Sequence, residues 1–172
     1  MPAYADQSSG TASRFGIGPD RYCVIAATYE QLFIELRNYS GDRLLHDVVL
    51  ISRYMEPEYE IDDVVLDEFE EVIVRTRGGG TGIKETHLAI LGFVSDKIVR
   101  FGDFIIDRHL VDRDYEERRS GTVSFPEKNM LTYQYTDSTV RNGRTVSKDV
   151  TETFTFDLNE MRYRSAKAPE PL

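Results

Sequence analysis

From residue 71 to residue 158 the hydrophobic positions either alternate with polar ones or gather in short β-branched runs. Both patterns belong to strands; the three-and-four spacing of a helix is absent there. The clearest element is Asn142-Gly143, which separates two runs rich in Thr, Val, Tyr and Phe. That dipeptide is the strongest short-range signal for a two-residue type I′ hairpin. Pairing Arg141 with Arg144 sets Thr139 opposite Val146, Asp137 opposite Lys148, Tyr135 opposite Val150, Tyr133 opposite Glu152 and Leu131 opposite Phe154. This register predicts a cross-strand ion pair, Asp137 to Lys148, and two apolar pairs on one face.

Upstream, Phe125-Pro126-Glu127-Lys128-Asn129 reads as a turn, because proline presets one dihedral and asparagine tolerates the last position. It would join a strand over 122–125 to the hairpin. Residues 84–94 and 97–106 flank Ser95-Asp96 as a second hairpin, and residues 71–77 form a further strand with Val72, Val74 and Thr76 on one face. At least six strands are therefore expected after residue 70. Their short connections require antiparallel neighbours, since parallel pairing needs crossovers of a dozen or more residues.

The N-terminal third reads two ways. Thr28-Tyr29-Glu30-Gln31 has the form of a helix cap, with Leu32, Leu36 and Tyr39 on one helical face and a second helix over 44–55. Alternatively Leu32-Phe33-Ile34-Glu35-Leu36 and residues 45–50 flank Asn38-Tyr39-Ser40-Gly41-Asp42 as a hairpin. The richness of turn residues at 40–42 favours strands. The expected fold is thus a mainly β, single-domain antiparallel sheet (sandwich, partly closed barrel or meander) with room for one or two short N-terminal helices.

A length of 172 residues suits one domain, placed at 21–164, with loose tails at 1–20 and 165–172 where Ser, Gly, Ala and Pro dominate. The net charge of −9 opposes nucleic acid and anionic lipid. No apolar run reaches the 18 or so residues of a spanning helix. Ala3-Tyr4-Ala5 has the small-x-small form of a signal-peptidase site, so a periplasmic or secreted location is expected, with the cytoplasm as the alternative. The single cysteine, Cys23, lies in the apolar run Tyr22-Cys23-Val24-Ile25-Ala26 and reads as a core residue.

Two segments are candidates for chemistry. Residues 56–71 carry nine carboxylates in sixteen positions, but the stretch has no glycine and Asp63 and Asp67 are separated by Val-Val-Leu, which reads as a solvated strand edge rather than a calcium loop. The second is the glycine-rich segment. Gly78, Gly79, Gly80 and Gly82, with Thr81 between, allow close approach to the backbone, while Arg75, Arg77 and Lys84 offer donors to an anion. It matches neither the phosphate-loop nor the dinucleotide pattern, because Ile83 separates Gly82 from Lys84 and a strand follows.

The histidines at 46, 87 and 109 lie in separate segments, and no serine sits in a Gly-x-Ser-x-Gly elbow. No catalytic residue, cofactor or metal is assigned. The function expected from these features is a non-catalytic binding module, engaging a protein or saccharide partner through a sheet face or through residues 75–84. Two alternatives are a small hydrolase using carboxylates between Asp62 and Glu71, and a lipocalin-like carrier closed around an apolar ligand by strands over 84–158.

Overall fold

In a computed structural model, which describes residues 12–17, 21–27, 29–38, 43–52, 56–65, 69–94 and 97–165, the chain forms twelve strands and no helix among those residues. Strands β1 (Ala12–Ile17), β2 (Arg21–Ala27), β3 (Gln31–Asn38) and β4 (Arg43–Ile51) make a four-stranded antiparallel sheet in chain order. Strands β5 (Glu58–Asp62), β6 (Glu71–Gly80), β7 (Ile83–Val94), β8 (Lys97–Asp112), β9 (Tyr115–Glu127), β10 (Met130–Arg141), β11 (Arg144–Asp157) and β12 (Arg162–Ser165) make a second, eight-stranded meander. It is open: β5 and β12 are its two edges, so the sheet does not close into a barrel.

The N-terminal ambiguity resolves to strands. Residues 31–35 and 47–51 pair as β3 and β4, while residues 39–42 of the turn proposed at 38–42 lie outside the described residues. A local helical spacing loses because Leu32, Ile34 and Leu36, at period two, are all fully buried on one face of the sheet. Residues 12–17, expected to be part of a loose tail, form β1 and pair with β2 from Ala12↔Ala26 to Ile17↔Arg21. An edge strand gains its backbone partners from a neighbour that is already placed, so it can form from a weakly patterned sequence.

Three layers follow from the side-chain alternation of β6 and β7. Val72, Val74, Leu91 and Phe93 point one way, into a core shared with Cys23, Ile25, Leu32, Ile34, Leu36 and Leu50 of the small sheet. Ile73, Leu88 and Ile90 point the other way, into a core closed by Leu131, Tyr133, Phe156 and Tyr163 from the far end of the same meander. The large sheet therefore doubles back on itself. The separation occurs where β9 leaves β8: pairing between them runs only from Asp107↔Ser120 to Asp112↔Tyr115.

Two irregularities in β8 shape this turn-back, at the steps opposite Thr86/His87 and Ile90/Leu91. At the second, Phe101 is the extra residue, and it is buried over Gly92, where a Cβ would overlap its ring. The layers are also tied by hydrogen bonds. Glu71, fully buried, accepts the backbone N–H groups of Val64 and Val65 at 2.9 and 3.0 Å, which fixes the connection between β5 and β6. The Val64 carbonyl in turn accepts Asn129 N–H at 2.9 Å and the Tyr163 hydroxyl at 3.3 Å. Burial, then the nearby Glu71 carboxylate, raises the Tyr163 pKa.

Pro126, assigned to a turn from sequence, instead lies within β9; the turn is Lys128-Asn129, with Asn129 at φ 64°. The β9–β10 register shifts between Glu127↔Met130 and Ser124↔Thr132, so proline sits where the ladder is already broken.

Candidate functional site

The glycine-rich segment is a tight hairpin rather than a wide loop. Gly78, Gly79 and Gly80 are the last residues of β6 and pair with Glu85, Lys84 and Ile83, leaving Thr81-Gly82 as the two-residue turn. Gly79 has φ +133°, and a Cβ there would overlap the Ile83 carbonyl oxygen, so close strand approach accounts for this glycine. Gly82 passes its carbonyl to Val111 N–H at 2.8 Å, docking the turn on the end of β8. Arg75 lies 3.8 Å from Glu58 on the edge strand, and Arg77 N–H donates to the buried Ser52 hydroxyl at 2.9 Å. Lys84 is exposed and shares a row with His109 of β8 and Arg118 of β9. The three basic side chains nominated from sequence are thus spread over two strands beside ordinary structural contacts.

The acidic stretch divides. Residues 58–62 form the edge strand β5, with Glu58, Glu60 and Asp62 exposed and Tyr59 and Ile61 half-buried. Asp63 pairs with Lys128 across the layers, and Glu71 binds backbone. Asp67 and Glu68 lie outside the described residues. Among the described residues no three His, Cys, Asp or Glu side chains converge as a metal site.

A charged network crosses β7, β8 and β9. His87 lies between Asp103 (Nδ1 to Oδ1, 3.1 Å) and Glu85 (Nε2 to Oε2, 3.4 Å). Arg100 binds Asp103 at 2.7 Å, and Arg108 bridges Glu85 and Glu117, both at 3.2 Å. The Asp103 contact raises the His87 pKa above its ordinary value. Burial works against Asp103, yet the hydrogen bond and charge of His87, then Arg100, keep its pKa below the usual carboxylate value. Each carboxylate here faces a cation, an arrangement that satisfies the charges mutually.

The hairpin of β10 and β11 has the register expected from sequence at every position, Arg141↔Arg144 through Leu131↔Phe154, and Asn142 and Gly143 take φ 50° and 72° as a type I′ turn demands. One detail differs. Asp137 faces Lys148 but turns to Arg119 on the other side, which holds it with two contacts of 2.7 and 2.8 Å. A bidentate guanidinium fork outcompetes a flexible ammonium for a carboxylate. Arg119 also lies 4.1 Å over the Tyr135 ring, next to the Tyr133–Tyr135 ring pair at 4.6 Å.

The opposite face of these strands was not singled out from sequence, and across β9, β10 and β11 it is regular. The two registers set Ser124, Thr132 and Thr153 in one row, then Thr122, Gln134 and Thr151, then Ser120, Thr136 and Asp149, then Arg118, Ser138 and Ser147. Nine of these twelve side chains are hydroxyls, and all twelve are exposed or half-exposed. Rows about 6.7 Å apart and strands about 4.8 Å apart make this a lattice of groups that both donate and accept. Thr136 donates to Asp149 at 2.6 Å, and Ser138 and Ser147 share a hydrogen bond of 2.9 Å. A shallow open groove of 420 Å³ runs along it, lined by Ser120, Thr122, Gln134, Thr136, Asp149 and Thr151 among others. The signal was legible as alternate Thr, Gln, Thr, Ser at 132–138 and Ser, Thr, Ser at 120–124.

Comparison with protein-family models, with curated proteins and with solved structures finds no match to this chain. The class that the fold defines is an all-β protein in which an open eight-stranded antiparallel meander is stacked on a small four-stranded sheet.

Proposed function

We propose that this chain is a non-catalytic recognition module that holds a neutral saccharide chain on the outer face of β9, β10 and β11. The observation that carries the reading is the hydroxyl lattice around Gln134, in a protein of net charge −9 that covers other surfaces with carboxylates and guanidinium groups. A neutral polyol finds there donors and acceptors at regular spacing, and the one carboxylate in the groove, Asp149, already accepts a hydrogen bond from Thr136. The 420 Å³ groove is in the range of a small-ligand site but shallow, so single-site affinity is expected to be weak and to grow with chain length.

The test is a titration of ¹⁵N-labelled protein with soluble oligomers of glucose, mannose and N-acetylglucosamine. Expected are amide shifts clustered at residues 120–124, 132–138 and 147–153. Combining Gln134→Ala with Thr136→Val and Thr151→Val should weaken binding by about tenfold or more, at roughly 0.5–1.5 kcal/mol per hydrogen bond. Shifts centred on residues 75–84 would move the site to the glycine hairpin, and no shifts with any oligomer at millimolar concentration would reject the reading.

A further inference from the structure

Among the described residues the outer edge of β11 is unpaired over most of its length. β12 pairs with it only at Phe154↔Ser165 through Asp157↔Arg162, and among the described residues no strand pairs with that side of residues 144–153. A two-residue turn makes Arg141 and Arg144 the hydrogen-bonded closing pair, so the backbone groups of residues 145, 147, 149, 151 and 153 point away from β10. Natural edges are usually protected by proline, bulges, charges or brevity. Here residues 144–153 contain no proline, the register with β10 is unbroken and Val146 is 70% exposed; the edge does carry charges, but Arg144, Lys148, Asp149 and Glu152 are of mixed sign and can pair with those of an oppositely running copy. The other edge of the same sheet, β5, is five residues long and presents Glu58, Glu60 and Asp62.

We propose that a second copy of this chain pairs with this edge, β11 against β11, antiparallel about a two-fold axis at Lys148. The register follows from the residues. A two-fold perpendicular to the sheet must pass through a residue facing its own copy. Centring on Lys148 engages 144–152, nearly the whole free edge, and stops before the stretch that β12 already covers. It sets Arg144 opposite the second copy's Glu152 twice and Val146 opposite Val150 twice, with Thr145 facing Thr151. Moving the centre to Ser147 loses both ion pairs. Moving it to Asp149 opposes two carboxylates and drives Arg144 against the Phe154–Ser165 pairing of the other copy. The one unfavourable pair in the chosen register is Lys148 against itself, which keeps the association reversible.

Such a two-fold leaves the outer faces of both copies on the same side. The hydroxyl lattice becomes six strands wide; this consequence, unlike the pairing itself, rests on the saccharide reading above. A single strand-to-strand contact lies at the weak, reversible end of protein association.

Sedimentation of the full chain from about 1 to about 500 µM, together with disulfide trapping, tests the proposal. At the centre, a non-hydrogen-bonded pair, the two Cα atoms are about 4.5 Å apart, within reach of a disulfide. Lys148→Cys should therefore form a covalent dimer under mild oxidation at least tenfold faster than Ser147→Cys, whose copy lies two residues out of register. Cys23 does not compete, being fully buried with its thiol pushed up to about 12, by burial first and then by Glu35. Arg144→Glu should weaken the dimer at least tenfold, and adding Glu152→Arg should restore it. A monomer at every concentration, or trapping as fast at Ser147→Cys as at Lys148→Cys, overturns the proposal. Titrating the Arg144→Glu protein with the same oligosaccharides tests the hydroxyl face separately.

Discussion

The two halves of the large sheet use the same hydrogen-bond ladder for opposite ends. In β6 and β7 consecutive residues are buried on alternating sides, 71–74 and 88–93 without a break, because each face meets a different core. In β10 and β11 burial is one-sided and confined to the base, at Leu131, Tyr133 and Phe156; towards the Asn142-Gly143 tip both faces meet water. The central strands are therefore held by packing, and the tip of the hairpin by polar pairs, turn chemistry and register.

Substitutions should separate these regimes. The largest loss is expected from Phe101→Ala, which empties the space over Gly92 between two layers: about 3–5 kcal/mol from urea unfolding. Arg119→Ala removes the fork on Asp137 and the stack on Tyr135 at the margin of the packed region. A loss of about 1–2 kcal/mol is expected, with faster amide exchange confined to residues 115–120 and 136–149; an equal increase in exchange across β6 and β7 would erase the distinction between the halves.

The smallest effect should come from pH. His87, with its pKa raised, adds stability that is complete below about 6.5 and is lost as pH climbs through the higher folded value. Asp103, with its pKa lowered, adds stability that is complete above about 3.9 and is lost as pH falls through the depressed folded value. The pair is strongest between those limits. Both side chains are about one-third exposed, so less than about 1 kcal/mol is expected after screening. Urea midpoints of wild type and His87→Gln should differ most near pH 5 and converge by pH 9; a constant gap across that range would assign the contact no titratable share.

Local information predicted the parts whose neighbours are close in sequence. The β10–β11 register was readable because Asn142-Gly143 fixes the turn and every later pair follows from it; for β7 and β8 only the pairing was readable, since two irregularities in β8 shift the register. The doubling-back of the sheet was not readable, since it depends on Phe101 and Phe104 meeting Phe156 and Phe154, partners some fifty residues on. Pro126 looked like a turn because its dihedral suits one; only the break in the β9–β10 ladder shows why a strand accepts it. The hydroxyl face was visible as alternation, but within any one strand nothing sets it apart. Its regularity emerges only when three strands are set in register, which places Gln134 between Thr122 and Thr151.

Tyr163 closes the second core almost at the end of the described chain, whereas the first is complete by Ile98. A nascent polypeptide can therefore assemble the small sheet against β6 and β7 early, while Ile73, Leu88 and Ile90 wait on the ribosome for some seventy residues more before their cover is synthesised. Over that interval the half-built protein carries an uncovered greasy slab, and its exposure to chaperones or to aggregation is set by how quickly the last strand arrives.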